Sequence, residues 1–420
     1  MAQVTGPSSG ARSRWPGGVP VRVWHKYFGS EYGDEERQAL AEVLTQEHQT
    51  NGPQVQAFQQ EFGASCGAHA FATSSCTTAL MLAAQLCRLR PGDEAVTTPL
   101  TFASTSLAIL SCGATPVFAD VDPRTFNIDP DSVADRITPR TKALFVVHLY
   151  GQCCDMDRLV ALAARHGLVV ISDAAHVVGA TYKGRPSGSL GDASAFSFHS
   201  SKNMTTLGEG GMLVTPRDDW AARVPKLRSM GVDYEIPRDD PLDYWLPLPY
   251  DVVEPDGYVP NNYRMNEAQA AVGRAQLRKV SALNERRRRI AHRYTDALQD
   301  LPGLRVPFED PNGTHVYYLY SLVVDPSQAP FTRDDLMRVL FREFGVHTIT
   351  GYPPVYWFTM YQTRGYARGL CPVAERVAAQ TVCLPLYAQM TERDVDYVIE
   401  SVTVAVRRLA DRPAGRSTVP

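Results

Sequence analysis

Hydrophobic and polar residues alternate along residues 69–215 in a way that predicts strands and helices in turn. Short runs of apolar and β-branched residues predict strands at His69–Thr73, Glu94–Thr98, Thr115–Ala119, Ala143–His148, Leu168–Ser172, Ala193–Phe198 and Met212–Thr215. Stretches between several of them predict helices at Thr77–Leu89, Ser104–Cys112, Pro130–Ile137 and Met156–His166. Strands that alternate with helices build a mostly parallel sheet with helices on both faces, so we expect an α/β fold.

The pattern changes in the second half of the chain. Residues 231–262 are rich in Pro, Asp and Tyr and lack periodicity, which predicts a long loop. A long helix is expected from about Asn266 to Leu298, where apolar residues fall near helical spacing. After Pro302 we expect an α+β pattern, with a strand at Val316–Val324 and helices at Arg333–Phe344 and Glu392–Ala410.

These elements predict two domains between two tails. A single hydrophobic core rarely serves more than roughly 250–300 residues, and this chain has 420. The N-terminal tail is rich in Gly, Ser, Pro and Arg and has no apolar core, so we expect no secretory signal. We expect flexible tails at 1–20 and 411–420, a large domain at 21–275 that includes the loop 231–262, and a small α+β domain at 276–410.

Composition excludes several classes of protein. The chain has 42 basic and 45 acidic residues, a formal net charge of −3 and a hydrophobic fraction of 44%. These values are typical of globular proteins, whereas a disordered chain would contain fewer apolar residues. A protein that binds nucleic acid through its phosphates would be basic, so we expect no nucleic-acid partner.

Cysteine usage and the longest uncharged segment bear on location. The eight cysteines form no Cys-x-x-Cys pair and no spacing typical of a metal site. We therefore expect buried free thiols, a cytoplasmic protein and no metal. The uncharged run Ala95–Ala119 is long enough to span a bilayer, which takes about 20 residues, but Thr, Ser and Pro interrupt it. We interpret that run as strand, helix and strand, and we expect no membrane association.

The residues that follow the strands at Leu168–Ser172 and Ala193–Phe198 carry the candidate chemistry. Asp173 directly follows the first strand, and Lys202 comes shortly after the second, among small hydroxyl residues. In parallel sheets ligands bind at the carboxyl ends of strands, so both side chains are expected at one edge. Such a pair is what pyridoxal 5′-phosphate (PLP) requires. The amine forms a Schiff base with the cofactor, and the carboxylate pairs with its ring nitrogen.

The other groups that PLP needs also have candidates. The cofactor phosphate binds hydroxyls and the N–H groups at a helix N-terminus, which Ser197, Cys76 and Thr77 offer. Phe102, after the second strand, is the candidate for the aromatic ring that stacks on the pyridine. His176 is the candidate for a contact with the phenolic oxygen of the cofactor.

A structural role stays open for each of these positions. A carboxylate at a strand end can cap a helix, and a hydroxyl, a ring or an imidazole can simply pack in a core. His148 and Tyr150 either approach the substrate or pack in the core. The basic run Arg286–Arg289 either binds a phosphate or forms a solvated helix face. Asp192 and Arg185 are expected to brace the loop before the strand that leads to the lysine, without a catalytic role.

Short motifs are spread along nearly the whole chain, from about residue 20 to residue 408. They are Thr-Asn-Gly-Pro-Gln-Val (50–55), Pro-Gly-Asp-Glu (91–94), Gly-Ala-Thr-Pro-Val-Phe (113–118), Asp-Ala-Ala-His (173–176), Gly-Ser-Leu-Gly-Asp (188–192), Ser-Lys-Asn (201–203), Gly-Glu-Gly-Gly (208–211) and Asn-Tyr-Arg-Met (262–265). As a set they resemble the DegT/DnrJ/StrS aminotransferases. The resemblance implies a fold-type I PLP enzyme that aminates keto sugars or keto-cyclitols.

The resemblance also implies roles residue by residue. The family builds its active sites across the interface of a homodimer, and Asn262 matches an asparagine that reaches the phosphate in the partner subunit. Two positions depart from the family pattern, since His176 stands where many members have Gln and Cys76 where Gly or Ala is usual. The positions that match cofactor contacts are Lys202, Asp173, Ser197, Cys76, Thr77 and, for ring stacking, Phe102.

We therefore expect transamination between an amino acid, L-glutamate or L-glutamine, and a small ketone. The catalytic residues are Lys202 and Asp173. The stretch 198–211 looks most like that of family members acting on cyclitols or sugars in aminoglycoside and other antibiotic pathways. A cyclitol of the scyllo-inosose type is thus the first acceptor expected, and a nucleotide-linked keto sugar the second.

Other activities of the same fold stay as alternatives. The family's dehydratase branch has His in place of the lysine, so the presence of Lys202 favours transamination. An enzyme of the amino-shikimate type remains open. A non-enzymatic regulator would be expected to lack the lysine or to carry an added helix-turn-helix domain, and the sequence has neither feature.

Overall fold

The computed structural model describes residues 22–24, 29–233 and 251–411. The expected tail at 1–20 lies outside the described residues, as does the tail at 411–420 except for Asp411. Part of the loop 231–262 is also outside. Its described part contains a two-residue strand pair and one turn of 3₁₀-helix at Pro255–Gly257.

The strands and helices expected between residues 69 and 215 are confirmed, with ends that differ by a few residues. The helices are α1 (Asp34–Val43), α2 (Pro53–Cys66), α3 (Cys76–Leu86), α4 (Ser104–Ser111), α5 (Pro130–Ala134), α6 (Met156–His166), α7 (Asp218–Ala221), α8 (Val224–Arg228), α9 (Glu267–Leu298), α10 (Arg333–Phe344), α11 (Thr359–Gln362), α12 (Pro372–Gln380) and α13 (Glu392–Ala410). The strands are β1 (His69–Thr73), β2 (Glu94–Thr97), β3 (Thr115–Phe118), β4 (Thr141–Val147), β5 (Val169–Asp173), β6 (Thr181–Tyr182), β7 (Arg185–Pro186), β8 (Ala193–Ser197), β9 (Gly211–Thr215), β10 (Val232–Asp233), β11 (Asp251–Val252), β12 (Leu304–Arg305), β13 (Gly313–Thr314), β14 (Tyr320–Val324) and β15 (Thr381–Leu384).

A seven-stranded sheet positions the candidate site. Its strand order is β1-β9-β8-β5-β4-β2-β3. Strand β9 pairs antiparallel with both of its neighbours, and the remaining pairs are parallel. The carboxyl ends of β1, β4, β5 and β8 therefore meet the amino end of β9 at one edge. The expected mostly parallel, mixed sheet of an α/β fold is confirmed.

Apolar side chains cover both faces of this sheet. Because successive residues of a strand point to opposite faces, neighbours on β5 belong to different cores. Val170 packs in the cluster that contains Phe62 of α2, while Ile171 packs in the cluster that contains Leu80 of α3. Burying one side chain of this kind stabilises the fold by about 1.5–3 kcal/mol. The two clusters hold the strand ends rigidly against their helices.

The C-terminal residues form a second sheet with its own core. Strands β12, β14 and β15 pair antiparallel, and α10 and α13 contribute Leu336 and Val402 to the cluster beside Leu322. Helix α9 spans both cores, since Val280 lies in the first cluster and Tyr294 in the second. Residue 276, where we divide the chain into domains, thus falls inside a continuous helix, and that division stays a prediction.

Strand β14 is shorter than expected. We expected a strand at Val316–Val324, but β14 begins at Tyr320. Tyr317 has φ 45°, a left-handed conformation that interrupts extended backbone. The segment before β14 bonds elsewhere, because the N–H of Val316 donates to Gly151 O at 2.9 Å. Tyr318 consequently sits in an irregular segment rather than in the sheet.

The basic run 286–289 fits neither expectation completely. Arg286 and Arg289 pair with glutamates near the surface, but Arg287 is only 1% exposed. Its guanidinium donates to the carbonyls of Gly29, Tyr317 and Leu386, and burial lowers its pKa to about 10. The solvated-face interpretation is therefore wrong for Arg287, which lies on the face of α9 that also carries Ile290 and Tyr294.

The cysteines agree with the expectation of buried free thiols. All eight cysteines are free, and all but the half-buried Cys87 are buried. None of the helices in the described part of the chain has the length and apolar character needed to span a bilayer.

A buried glutamate ties the start of α9 to the start of α2. Glu267 is fully buried. Its carboxylate accepts hydrogen bonds from the N–H groups of Gly52 (2.8 Å), Gln54 (2.8 Å) and Val55 (3.1 Å). A negative charge is favourable at a helix N-terminus, where the first N–H groups lack intrahelical acceptors. This contact gives residues 50–55 a structural role, because backbone N–H groups of this motif bind the carboxylate.

Replacing this carboxylate is expected to destabilise the protein. For Glu267→Gln we expect the free energy of unfolding to fall by about 2 kcal/mol, because an amide accepts the three hydrogen bonds less well and carries no charge. Denaturant unfolding of the full chain measures it. Glu285→Gln on the exposed face of the same helix is the control, with an expected change within about 0.5 kcal/mol. Equal effects of the two substitutions would contradict the role of Glu267.

Candidate active site

The carboxyl ends of β5 and β8 bring the two principal candidates together. Asp173 is the last residue of β5 and pairs with Ala195 of β8. Ser197 is the last residue of β8 and pairs with Gly211 at the start of β9. Lys202 follows Ser197 in the loop between these strands, so a carboxylate, a hydroxyl and an amine share one edge of the sheet. This edge is the place where α/β sheets bind ligands.

Asp173 is held in one orientation. Its side chain is 5% exposed. One carboxylate oxygen accepts a hydrogen bond from Thr105 Oγ1 at 2.7 Å, and the other accepts from the N–H of Ala175 at 3.1 Å. Burial raises the pKa of this carboxyl, while the two hydrogen bonds and the charge of Lys202 act in the opposite direction. A cation placed against Asp173 would relieve the cost of its buried charge.

Lys202 is also buried, at 8% exposure. Its Nζ lies 4.2 Å from the centre of the Tyr318 ring. The loop that carries Lys202 is fixed by Gly29, whose N–H donates to Ser200 O at 2.8 Å. A Cβ on Gly29 would lie 2.4 Å from the carbonyl oxygen of Lys202, so only glycine fits there.

The N-terminus of α3 forms a cradle beside this edge. Ser75 caps the helix by accepting a hydrogen bond from the N–H of Thr78 at 3.2 Å. Cys76 and Thr77 are the first helical residues, and N–H groups at such positions have no intrahelical acceptor. Gly211 lets β9 approach closely, because a Cβ there would lie 2.6 Å from the nitrogen of Cys76.

The side chains around this cradle are polar, and some of their hydrogen-bonding groups already have partners in the protein. Thr77 Oγ1 lies 2.8 Å from Ser104 Oγ. The thiol of Cys76 is buried and donates to Ala195 O at 3.5 Å, so its side chain points towards the sheet. Ser197 Oγ accepts a hydrogen bond from the N–H of His199 at 3.3 Å, which leaves the hydroxyl proton free to donate to an anion.

His176 lies in a stack of rings. It is 4% exposed, and its ring lies 4.2 Å from that of Tyr318 with an interplanar angle of 15°. His176 Nε2 lies 3.2 Å from the hydroxyl of Tyr352. Burial and the charge of Lys202 lower the pKa of His176 well below its ordinary value, so the ring is neutral.

Phe102 and Asn262 are exposed in the single chain. Phe102 is 64% exposed and precedes α4, whose Thr105 holds Asp173. Asn262 Oδ1 accepts a hydrogen bond from the N–H of Arg264 at 3.3 Å. Ring stacking by Phe102 and a contact of Asn262 with a partner subunit stay predictions.

Among the remaining candidates, His148 and Tyr150 follow β4 at this edge, whereas Asp192 and Arg185 lie before β8, away from it. His148 is fully buried, its Nδ1 accepts from the N–H of Cys154 at 3.1 Å, and burial lowers its pKa to about 4. Tyr150 is buried and stacks on Tyr352 at 6.4 Å. Asp192 accepts from the N–H of Val170 at 2.9 Å, and Arg185 donates to Ser189 O at 2.8 Å.

Sequence reasoning missed Thr105, Tyr318 and Tyr352. Thr105 lies near Phe102 in a helix that follows a strand end, so its position in the sequence could have indicated a site residue. Tyr318 and Tyr352 come from irregular segments far along the chain, for which periodicity gives no signal. Within the described ranges, no group of three or more His, Cys, Asp or Glu side chains is placed to hold a metal ion.

The chain is similar to known proteins over most of its length. The model of the DegT/DnrJ/EryC1/StrS aminotransferase family matches residues 30–403. The spore coat polysaccharide biosynthesis protein SpsC of Bacillus subtilis is 44% identical over 378 residues, which are 89% of this chain and 95% of that protein. GDP-perosamine synthase of Caulobacter vibrioides is 40% identical over 348 residues, covering 82% of this chain and 88% of the relative.

A solved structure gives the same result for the fold. DesV of S. venezuelae superposes with a TM-score of 0.80 at 34% identity, covering 90% of this chain and 95% of that one. Both the family match and these identities extend over most of the chain. The chain therefore belongs to the DegT/DnrJ/EryC1/StrS aminotransferase family, as a PLP-dependent aminotransferase of fold type I.

Proposed function

We propose that this enzyme transfers the amino group of L-glutamate or L-glutamine to the keto group of a nucleotide-linked sugar. The observation that carries the proposal is the Lys202 amine, buried at the sheet edge beside the fixed carboxylate of Asp173. The relation to GDP-perosamine synthase, at 40% identity, supports a nucleotide-linked acceptor. Because of this relation, we place nucleotide-linked keto sugars ahead of the cyclitol that the sequence led us to expect first.

The residues at this edge fit PLP. Asp173 would pair with the ring nitrogen, because its buried carboxylate favours a neighbouring cation. The hydroxyl of Ser197 and the first N–H groups of α3, at Cys76 and Thr77, would hold the phosphate. Phe102 would cover the pyridine face, and His176 would contact the phenolic oxygen. When bound, PLP supplies an electron-accepting ring that stabilises negative charge at the amino-acid Cα.

Lys202 does the proton work in this proposal. The amine first holds the cofactor, and it then accepts and returns a proton at Nζ while donor and acceptor exchange the amino group. Because Lys202 is only 8% exposed, bulk water has little access to this proton. Thr105 keeps Asp173 in one orientation through both halves of the reaction.

We further propose a homodimer with shared active sites in the cytoplasm. Asn262 lies among exposed apolar side chains, since Val259 is 74% exposed and Met230, whose N–H donates to Asn261 O, is 41% exposed. Exposed apolar patches of this kind are typical of interfaces. The buried free thiols support a reducing compartment.

A cyclitol of the scyllo-inosose type is the second candidate acceptor. The stretch 198–211 supports it, because it looks like that of members acting on cyclitols or sugars in aminoglycoside and other antibiotic pathways. Antibiotic or aminoglycoside biosynthesis would follow for that substrate. A dehydratase or an amino-shikimate-type enzyme is less favoured, because Lys202 is present and buried beside Asp173.

Removing the lysine is expected to abolish the covalent link to the cofactor. Lys202→Ala should lose the near-visible absorbance band of the protein-bound cofactor and at least about 10³-fold in turnover. Lys183→Ala, on the surface, is the control and should behave like the wild type. If Lys202→Ala kept both the band and the wild-type rate, the assignment of Lys202 as the Schiff-base lysine would be wrong.

The hydrogen bond from Thr105 is expected to set the acid limb of the pH profile. It stabilises the charged form of Asp173 and so lowers the pKa of that carboxyl. Thr105→Val removes it, so the acid limb of kcat/KM should move to higher pH by about one unit, whereas Thr105→Ser keeps the hydroxyl and the wild-type profile. Superimposable profiles for Val and wild type would contradict this role.

The acceptor is identified by a panel assay. The loaded enzyme should lose its absorbance band with L-glutamate or L-glutamine, and one acceptor should restore it. We expect restoration by a nucleoside-diphosphate-linked keto sugar, and not by the matching free sugar or by inososes. Restoration by an inosose alone would establish the cyclitol candidate, and no bleaching by any amino donor would overturn the transamination proposal.

A further inference from the structure

We propose that Tyr318 is the proton partner of Lys202, and that Tyr352 and His176 form a hydrogen-bonded chain behind it. This inference rests on the proposed function, because it concerns how the catalytic amine changes its protonation state. Tyr318 comes from the irregular segment before β14 and reaches the loop between β8 and β9. The C-terminal part of the chain thus supplies a group that touches the reacting nitrogen.

The contact between Lys202 and Tyr318 is direct. Lys202 Nζ lies over the Tyr318 ring, 4.2 Å from its centre, and the charge of Lys202 lowers the pKa of the Tyr318 hydroxyl. Ser201 Oγ, next to the lysine, lies 3.4 Å from the same hydroxyl. The Tyr318 hydroxyl therefore lies beside polar groups of the lysine loop.

Tyr352 and His176 fix the direction of the chain. The Tyr352 hydroxyl lies 3.2 Å from His176 Nε2. In the proposed chain it accepts a hydrogen bond from that nitrogen and donates its own proton towards the Tyr318 oxygen. A neutral His176 with its proton on Nε2 has a bare Nδ1, and this atom has no hydrogen-bond partner among the described residues. The proposed order is His176 to Tyr352 to Tyr318, with Lys202 on the other side of Tyr318.

Ring packing holds these groups in place. His176 stacks on Tyr318 at 4.2 Å with an angle of 15°, and on Tyr352 at 5.8 Å with an angle of 9°. Tyr150 extends the stack beyond Tyr352. Such stacks restrict ring rotation, so the hydroxyls keep their hydrogen-bond geometry without further polar contacts.

The surroundings favour the phenolate form of Tyr318. Burial opposes it, but the charge of Lys202 and the polar side chains of Ser201, Lys202 and Tyr352 outweigh burial and lower the pKa of Tyr318. Among the described residues, the titratable or charged groups that face Tyr318 or Tyr352 are Lys202, His176, Tyr352, Tyr150, Arg287 and Asp173.

The step this pair performs is a single proton transfer. An N–H bond of the Lys202 ammonium breaks and an O–H bond forms on the Tyr318 phenolate, leaving a neutral amine and a neutral phenol. The charges cancel, so no other reactant is required. The reverse transfer restores the ammonium when the amine is to be protonated again.

The first test follows tyrosine ionisation by ultraviolet absorbance in the full-length chain, before and after loading with the cofactor. The chain without cofactor should show one tyrosine that titrates below the ordinary value of about 10. Tyr318→Phe, which keeps the ring stack, should remove it, and Lys202→Met should move it to higher pH. Tyr352→Phe should move it upward by less.

Tyr366→Phe is the matched control, because the Tyr366 hydroxyl donates to Pro116 O away from this cluster and its pKa is raised to about 12. It should leave the early-titrating tyrosine unchanged. If Tyr318→Phe gave the wild-type titration curve, or if Lys202→Met left the early tyrosine in place, the pairing would be overturned.

The second test measures the half-reaction with the amino donor alone. Tyr318→Phe should keep the absorbance band of the bound cofactor, leave KM for the donor nearly unchanged and slow the half-reaction about 10²-fold. A wild-type rate in Tyr318→Phe would overturn its catalytic role. If no donor reacts with the wild type, the proposed function fails, while the tyrosine titration still decides whether Lys202 and Tyr318 are paired.

Discussion

The backbone hydrogen bonds that join β5, β8 and β9 set the positions of Asp173 and Ser197. It places Asp173 opposite Ala195, and Ser197 opposite Gly211. A slip of one residue would turn every side chain of a strand to the other face of the sheet. The register is held because the alternating residues of β5 and β8 fill two separate apolar cores. The chemistry at the edge is therefore a consequence of core packing.

Lys202 is positioned by different means. It lies beyond the ladder, in a loop whose shape comes from Gly29 on one side and from Asn203 on the other. Asn203 donates to Asn284 of α9 at 3.0 Å and to the carbonyl of Val316 at 3.0 Å. The C-terminal part of the chain thus positions the amine of Lys202, while the sheet positions the carboxylate of Asp173. The site is complete only when both parts are folded.

How much of this is predictable from sequence depends on the range of the interactions. Strands such as β5 are buried on both faces, so they appear in the sequence as runs of apolar residues. The local pattern therefore predicts the sheet edge that carries Asp173 and Lys202. Thr105 and Tyr318 act through contacts between distant segments. No local pattern encodes such contacts. Arg287 shows the same limit, because a run of arginines reads as solvated while one of them is buried against backbone carbonyls.

Helix α9 has a mechanical consequence. Its 32 residues form a rod of about 48 Å, at 1.5 Å per residue. The first half of the rod is embedded in the core beneath the sheet and the second half in the C-terminal core. A rod anchored at both ends has no hinge at its centre, and it contains no proline that would bend it. The two cores are therefore joined by one continuous helix and not by a flexible linker.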